Sequence, residues 1–323
     1  MFKKAGILLC LVAAMCLLGS ASAEALTVGF SIKNMHSPYY IAVEQTMQDL
    51  SKEKGFDIIS VNAGGDMVKQ QADIEDLISR GVDVLIVDSQ DPIAFIATSK
   101  IVTASGIPLF LMNTTVDPSA EYITLVQSNN ETIGEMLGQW AGDNISGEIR
   151  IGLLSGNPGN PVGFGRRSGF FKGLAEAQLI RTNTTNFRVV TQGWGNWSAE
   201  AGLEAAEDML VTAPDINVIF AENDSMAMGA ITAIKNADKE GQITVIGVDG
   251  LSDALKLIIE GTYGATGLNS PFELARTTVD IALRYMDGER GFPSLIHTVP
   301  DVISSANVNE YYNPDVPFGI KAQ

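Results

Sequence analysis

Strand-like and helix-like segments alternate along almost the whole chain, and no other feature of the sequence restricts the fold as strongly. Short runs rich in β-branched residues, such as 26–32 and 82–87, are each followed by a segment with helical periodicity, in which apolar residues recur every three or four positions, as Tyr40, Val43 and Met47 do. Strands that alternate with helices form parallel sheets with helices on both faces. The pattern therefore predicts an α/β fold built from doubly wound parallel sheets.

The alternation is interrupted after Ser128 and then starts again. In the first half, strands are predicted over residues 26–32, 56–61, 82–87, 107–112 and 122–127. In the second half, the predicted strands are 149–154, 187–191, 218–221, 243–248 and 263–268, with helices at roughly 131–146, 164–178, 198–212, 225–237, 252–260 and 272–287 and one last strand near 296–304. Because no Pro- or Ser-rich linker separates the halves, we expect two similar lobes packed closely together.

The first 23 residues have the features of an export signal. Lys3 and Lys4 precede an apolar run over 6–18, and small residues follow it up to Ala23, as at a signal peptidase site. The apolar run is too short to span a bilayer. We therefore predict a secreted protein whose signal peptide is cleaved after Ala23.

The composition of the mature chain excludes several classes of partner and cofactor. Cys10 and Cys16 both lie in the predicted signal peptide, so stability must come from a core and not from disulfides. The formal charge is −17, and removal of Lys3 and Lys4 makes it −19, which argues against nucleic acid and anionic membranes as partners. Two histidines and no mature cysteine leave no plausible soft-metal site, and no metal or cofactor is predicted.

The sequence lacks the short motifs of the common enzyme classes. Gly163-Phe164-Gly165 has no final glycine at the dinucleotide-binding spacing, and there is no phosphate-binding loop or nucleophile elbow. We therefore predict a binding protein, and a secreted sugar-modifying enzyme on the same kind of sheet is a remote alternative. A repressor-type regulator would need a helix-turn-helix before the first strand, where the signal peptide lies.

Polar and aromatic residues follow the ends of the predicted strands, where an open parallel sheet binds its ligands. Amides and carboxylates pair with vicinal hydroxyls, arginine adds a charged fork, and flat rings can cover the C–H face of a sugar. The residues at these strand ends include Lys33, Asn34, His36, Ser37, Tyr39, Tyr40, Asp88, Ser89, Gln90, Asp91, Asn113, Thr114, Arg166, Trp194, Trp197, Asn223, Asp224, Asp249 and Asn269. This chemistry indicates a small polyhydroxylated ligand.

At these residues the sequence resembles the periplasmic sugar-binding proteins of bacterial ABC importers, the type that includes the ribose- and galactose-binding proteins. The resemblance covers the whole mature chain, and its most specific segments are Ser37-Pro38-Tyr39-Tyr40, 166–170, 221–230 and 245–250. It implies two doubly wound lobes that are joined by a three-strand hinge and close on the sugar. It places crossovers near Ser128, 268–269 and Pro300. The N-terminal lobe would comprise 24–128 plus 269–300, and the C-terminal lobe 129–268 plus 301–323.

The resemblance also implies roles for individual residues. Tyr39 and Tyr40 would form aromatic walls on one face of the sugar ring and Trp197 the opposing wall, while Arg166 would be a bidentate hydroxyl clamp. The expected hydroxyl partners are Asn113, Asn223, Asp249 and Asn269, and the same loops add Lys33 and Ser37. The implied partners are a monosaccharide or polyol, an ABC permease with its ATPase and a possible chemoreceptor, and the protein would be a periplasmic monomer.

Several positions leave the ligand and some roles open. Thr114 stands where the ribose binder has an arginine, and Lys33 stands where it has a small hydroxyl residue. A lysine at this point of the first loop also resembles the binders of the furanone signal autoinducer-2. Lys33 could instead form a surface salt bridge, and Ser37 could serve only as a helix cap. Arg167 is expected to be a solvated charge and Trp194 to pack within its lobe.

Overall fold

The computed structural model describes residues 25–321, so the predicted signal peptide and its cleavage after Ala23 lie outside the described residues. The strands are β1 (Thr27–Ile32), β2 (Asp57–Asn62), β3 (Val84–Val87), β4 (Leu109–Met112), β5 (Thr124–Ser128), β6 (Ile149–Ser155), β7 (Phe187–Trp194), β8 (Val218–Ala221), β9 (Thr244–Asp249), β10 (Ala265–Leu268), β11 (Leu295–Thr298) and β12 (Val302–Ser304). The helices are α1 (Pro38–Lys54), α2 (Met67–Ser79), α3 (Phe95–Ser105), α4 (Asn130–Asn144), α5 (Pro161–Thr182), α6 (Ala199–Thr212), α7 (Asp224–Asn236), α8 (Ser252–Glu260) and α9 (Pro271–Met286).

These strands form two sheets of similar design. The first has the order β11-β5-β4-β3-β1-β2 and the second the order β12-β10-β9-β8-β6-β7. Neighbouring strands are parallel throughout, except that β12 pairs antiparallel with β10. All strands predicted in the two repeating halves are present, with bounds that move by up to three residues.

The last predicted strand, near 296–304, is wrong in one respect. Two short strands occupy this segment, and they belong to different sheets: β11 pairs with β5, and β12 pairs with β10. The chain crosses from one sheet to the other between them. It also crosses after β5 and after β10, because α4 packs against β10 of the second sheet and α9 against β4 and β5 of the first.

Each sheet buries both of its faces under helices, as the sequence pattern requires. In β3, Val84 and Ile86 join one apolar cluster with residues of α1 and α9, whereas Leu85 and Val87 join another with residues of α2 and α3. The second sheet is covered in the same way. None of the helices within residues 25–321 has the length and apolar character needed to cross a membrane.

The segment after β12 contacts both sheets. Tyr311 is buried in the core of the second sheet, whereas Phe318 is buried beside residues of β1 and α1 in the first. The backbone around Phe318 nevertheless bonds to the second sheet's loops, through Gly319 N–H to Gly250 O (2.7 Å) and Ser252 N–H to Pro317 O (2.9 Å). This tail therefore links the two sheets in addition to the three crossings.

Candidate ligand-binding cleft

The carboxyl ends of the strands of both sheets face one cavity of about 340 Å³. All ten residues predicted from the sequence to bind the ligand line this cavity: Lys33, Ser37, Tyr39, Tyr40, Asn113, Arg166, Trp197, Asn223, Asp249 and Asn269. They come from loops far apart in the sequence. The fold brings them together in space, as their positions after the strands predicted, while their roles toward a ligand remain predictions.

The sequence argument did not select several other residues that line the same cavity. These residues, which were not predicted to bind the ligand, are Asn34, His36, Gln90, Asn157, Asn160, Val162, Asn196 and Ser198. Most of them belong to the loops that follow β6 and β7, so they obey the same strand-end rule as the predicted residues.

Two tyrosines form one wall at the start of α1. The rings of Tyr39 and Tyr40 meet edge to face with centroids 5.6 Å apart, and Tyr39 also packs against Phe318. Burial raises the pKa of both phenols, so both hydroxyls stay neutral. Ser37 occupies the N-cap position of α1, but its side chain makes no capping hydrogen bond, so capping does not account for this residue.

An arginine–aspartate pair lies at the centre of the second sheet's side of the cleft. Arg166 Nη2 is 3.3 Å from Asp249 Oδ1, and both side chains are largely buried. Arg166 also donates from Nε to Asn130 Oδ1 (2.9 Å) and from Nη1 to the Glu222 carbonyl oxygen (2.5 Å). Burial raises the pKa of Asp249 to about 6, although attraction to Arg166 opposes this shift. These contacts engage three of the five guanidinium N–H groups.

Arg166 lies on α5, which begins earlier than predicted. Pro161 occupies the first turn, and the side chain of Asn160 accepts hydrogen bonds from two backbone N–H groups at the helix start. Gly134 on α4 allows α4 and α5 to pack closely, because a Cβ at this position would overlap the carbonyl oxygen of Arg166. Arg166 is therefore held on a rigid element and not on a loop.

Arg167 is not the solvated charge that was expected. Its Nη1 lies 2.8 Å from Oε1 of Glu222, a side chain with no exposed surface. Glu222 also accepts a hydrogen bond of 2.8 Å from the backbone N–H of Gly156. A buried carboxylate requires such partners, so Arg167 stabilises the layer beneath the cleft.

Trp197 lies over the Gly156 backbone, where a Cβ would overlap its indole ring. The Arg166 guanidinium is 5.9 Å from the ring centroid, within cation–π range. Asn223 donates to the Trp197 carbonyl oxygen (3.2 Å) and caps α7 by accepting from Met226 N–H. Trp194, expected to pack within the lobe, is instead 42% exposed, because it ends β7 at the edge of its sheet.

The first sheet's side holds a lysine above a buried aspartate. Lys33 Nζ donates to Thr114 Oγ1 (2.9 Å), and Thr114 donates in turn to Asp88 Oδ1 (2.7 Å). Asn113 donates to the other oxygen of Asp88 (3.0 Å). Burial alone would lower the pKa of Lys33, but attraction to the oxygen of Tyr40 and to Asp88 outweighs it and raises this pKa. The surface salt bridge considered for Lys33 is therefore not formed.

The backbone is strained where the cleft is lined. Six non-glycine residues among the described ones have positive φ, and four of them line the cavity: Asn113 (65°), Asn196 (47°), Trp197 (61°) and Asp249 (132°). Strained backbone of this kind concentrates at ligand sites, where the surrounding structure holds it in place. A bulky residue such as Trp197 seldom adopts this conformation.

Asn269 connects the two sides of the cleft. Its Oδ1 accepts from the Tyr39 hydroxyl (3.3 Å) and from Ser128 Oγ (2.6 Å), and its Nδ2 donates to Asp249 Oδ1 (2.8 Å). The charged groups of the cleft are also balanced, since Lys33 is set against Asp88 and Arg166 against Asp249. Such a site offers many hydrogen bonds and little net charge, which suits a neutral hydroxyl-rich molecule.

The chain is similar in sequence to proteins of bacterial sugar import. A profile of the periplasmic binding protein domain matches residues 28–290. The ribose import binding protein of Bacillus subtilis is 32% identical over 274 residues, which cover 84% of this chain and 85% of that protein. The D-apiose import binding protein of Paraburkholderia graminis is 28% identical and covers 85% and 86%.

Solved structures show the same architecture. A periplasmic solute-binding protein from Actinobacillus succinogenes, solved with bound D-allose, is 26% identical and superposes with a TM-score of 0.82 over 88% of this chain and all of that one. A solute-binding protein from Mycobacterium smegmatis, solved with bound glycerol, is 27% identical and also gives 0.82, over 92% and 100%. These likenesses confirm the predicted fold of two parallel-sheet lobes. The resemblance seen in the sequence is confirmed with it, and the chain belongs to the family of periplasmic binding proteins.

Proposed function

We propose that this protein binds a neutral monosaccharide or polyol between its two lobes and delivers it to an ABC importer. The observation that carries the proposal is one cavity lined by all ten side chains predicted to bind the ligand, nine of which carry an amide, hydroxyl or charged group. The family assignment supports sugar uptake by an ABC system. Relatives named for ribose and D-apiose, and neighbours solved with D-allose and glycerol, define the class of ligand.

The mechanism follows from the division of the cleft between the sheets. We infer a lobe of 24–128 plus 269–300 and a lobe of 129–268 plus 301–323, with Lys33, Ser37, Tyr39, Tyr40 and Asn113 on the first and Arg166, Trp197, Asn223 and Asp249 on the second. Asn269 lies at their junction. A sugar that contacts both sets stabilises the closed form only through contacts that the open form lacks.

Thermal-shift measurements with a panel of neutral sugars test the proposal. The panel contains D-ribose, D-apiose, D-allose, L-arabinose, myo-inositol and glycerol, with leucine and ribose 5-phosphate as controls. A sugar at a hundred times its Kd stabilises the protein by about 2.7 kcal/mol, which raises Tm by several degrees. The two controls should give no shift, because each positive group of the cleft has a carboxylate near it and the site has little net charge to attract a carboxylate or phosphate. Absence of a shift with every neutral sugar would contradict the proposal.

Four finer proposals accompany this function. We expect a periplasmic protein whose mature chain begins at Glu24, which intact mass of the exported protein would establish. We expect a monomer, which light scattering would establish, and we propose a chemoreceptor as a second partner. We also expect the bound sugar to be released unchanged, and NMR of the recovered ligand would reveal any turnover. The furanone signal and the sugar-modifying enzyme, left open by the sequence, are not favoured by the relatives found.

A further inference from the structure

Gln90 holds an unused hydrogen-bond acceptor at the cleft. It follows β3, lines the cavity and is partly buried. Its Oε1 is buried and has no hydrogen-bond partner among the described residues. Buried polar atoms in native proteins nearly always have a partner, so this acceptor points to a group that arrives from the cavity.

A second glutamine fixes the loop that carries Gln90. Gln70, on α2, has no exposed surface. Its Oε1 accepts from the Gln90 backbone N–H (2.8 Å), and its Nε2 donates to the Asp88 carbonyl oxygen (2.8 Å) and to Ser31 Oγ (3.3 Å). The side chain of Gln70 thus bonds to the backbone on both sides of Ser89. This arrangement holds the Gln90 backbone in place before any ligand binds.

We propose that the side-chain amide of Gln90 recognises one hydroxyl of the bound sugar and that Gln70 is its positioning residue. The proposal rests on the function proposed above and adds a specificity-determining residue to it. Lys33 carries donors only, so a ligand atom there needs only to accept. An amide both accepts and donates, as a hydroxyl does. The ligand therefore carries a free hydroxyl at Gln90, where an ether or deoxy position would leave the buried Oε1 unpaired.

Calorimetric titration of two variants tests this role. The probes are the panel sugar with the largest thermal shift and its complete set of monodeoxy analogues. Gln90→Met keeps the length of the side chain and removes its polar atoms, and Gln71→Met, on the outward side of α2, is the matched control. We expect Gln90→Met to weaken binding of the parent sugar about tenfold or more and Gln71→Met to leave it unchanged. One deoxy analogue should bind the parent chain and Gln90→Met equally well.

The positioning role of Gln70 has its own readout. Gln70→Met keeps the length of the side chain and loses both the acceptor for the Gln90 N–H and the donor to the Asp88 carbonyl oxygen. We expect it to weaken the parent sugar while leaving the affinity for that same deoxy analogue unchanged, a selectivity that general damage to the fold would not produce. If either variant lost the same amount of affinity for every deoxy analogue, the assignment to one hydroxyl would be overturned.

The outcomes separate this inference from the proposed function. If no panel sugar binds the parent chain, the proposed function fails and the inference fails with it. If a sugar binds the parent chain and Gln90→Met binds it equally well, the function stands and the role of Gln90 is wrong.

Discussion

The two sides of the cleft hold their positive charges differently. On the second sheet, Arg166 pairs directly with Asp249 and makes two further hydrogen bonds to the protein, to Asn130 and to the Glu222 carbonyl oxygen. On the first sheet, Lys33 makes one side-chain hydrogen bond to the protein and reaches Asp88 only through Thr114. The arginine is held by three protein partners before a ligand arrives, whereas the ammonium donates one side-chain hydrogen bond to Thr114 and lies 5.1 Å from the centroid of the Tyr40 ring.

The difference suggests different roles for the two sides: one orients the ligand, and the other adapts to its shape. A planar guanidinium with three protein partners loses little further freedom when it binds a hydroxyl pair. A lysine with a flexible stem can follow ligands of different shape at a higher entropic cost. We therefore expect the second side to set how the sugar lies and the first side to contribute less rigid contacts.

Loss of the arginine should have the largest effect. Arg166→Ala leaves the carboxylate of Asp249 buried without its partner, and breaking such a pair costs about 3–5 kcal/mol. The free energy of unfolding from urea titration of the ligand-free protein measures this cost. Lys172→Ala on the same helix is the matched control, because its pair with Glu135 is exposed and should be worth less than about 1 kcal/mol. Equal costs for the two variants would mean that the pair does not hold this side rigid.

Trp197 provides the next test of rigidity. Gly156→Ala places a Cβ where the indole ring lies, so the ring must shift. This lowers the free energy of unfolding by about 1–3 kcal/mol if the surrounding atoms cannot move. We expect the Kd for the best panel sugar to rise about tenfold. The added cost of alanine should be smaller in a Trp197→Phe background, because the smaller ring leaves room. An identical cost in both backgrounds would show that the ring position is not coupled to Gly156.

Much of this arrangement could be predicted from the sequence. The contacts that could not be predicted are those of polar side chains that the fold buries. The strand-end rule found Lys33, Arg166 and Asp249 because it needs only the order of strands. The interaction of Arg167 with Glu222 was missed, since nothing local distinguishes a buried glutamate at the end of β8 from a surface one. Likewise, Gln70 is a polar residue within a helical pattern, where solvent exposure is the usual expectation.

Chain crossings were predictable only in part. The crossing near Pro300 was expected, but a single strand over 296–304 was not found, because four residues of β11 and three of β12 suffice to pair with different sheets. Such short strands give no periodicity of their own. The strained backbone at Trp197 also has no sequence signal, since positive φ is typical of glycine and asparagine.

The carboxylate of Asp249, which pairs with Arg166, should make ligand binding depend on pH. Because the pKa of Asp249 is raised to about 6, above its unfolded value of 3.8, ionisation of Asp249 lowers the stability of the ligand-free protein as pH rises through this range. Ligand hydroxyls that donate to the carboxylate favour the ionised form, so the effect on binding has the opposite sign. We expect affinity for the best panel sugar to fall about tenfold between pH 7.5 and pH 5.

Asp249→Asn separates this effect from other titrations. All other titratable groups of the cleft are present in both proteins, so the difference between the two pH profiles belongs to Asp249. Calorimetry should show a flatter profile for the variant, with weaker binding at pH 7.5. If the parent and the variant lose affinity in parallel below pH 6, Asp249 does not carry the pH dependence.

The smallest effect should come from substitution of Lys33, on the first sheet's side of the cleft. Lys33→Gln retains one donor toward Thr114 and removes the positive charge, so the pKa of Asp88, already raised by burial, should rise further. Because Lys33 has no direct ion pair and loses only its attraction to Asp88 and to the oxygen of Tyr40, we expect a loss of about 1–2 kcal/mol in the free energy of unfolding, smaller than that of Arg166→Ala. Binding of the best panel sugar should weaken only a few fold, as measured by the same urea and calorimetric titrations. A loss as large as that of Arg166→Ala would mean that both sides of the cleft are equally rigid, and the contrast between a fixed arginine and an adaptable lysine would be wrong.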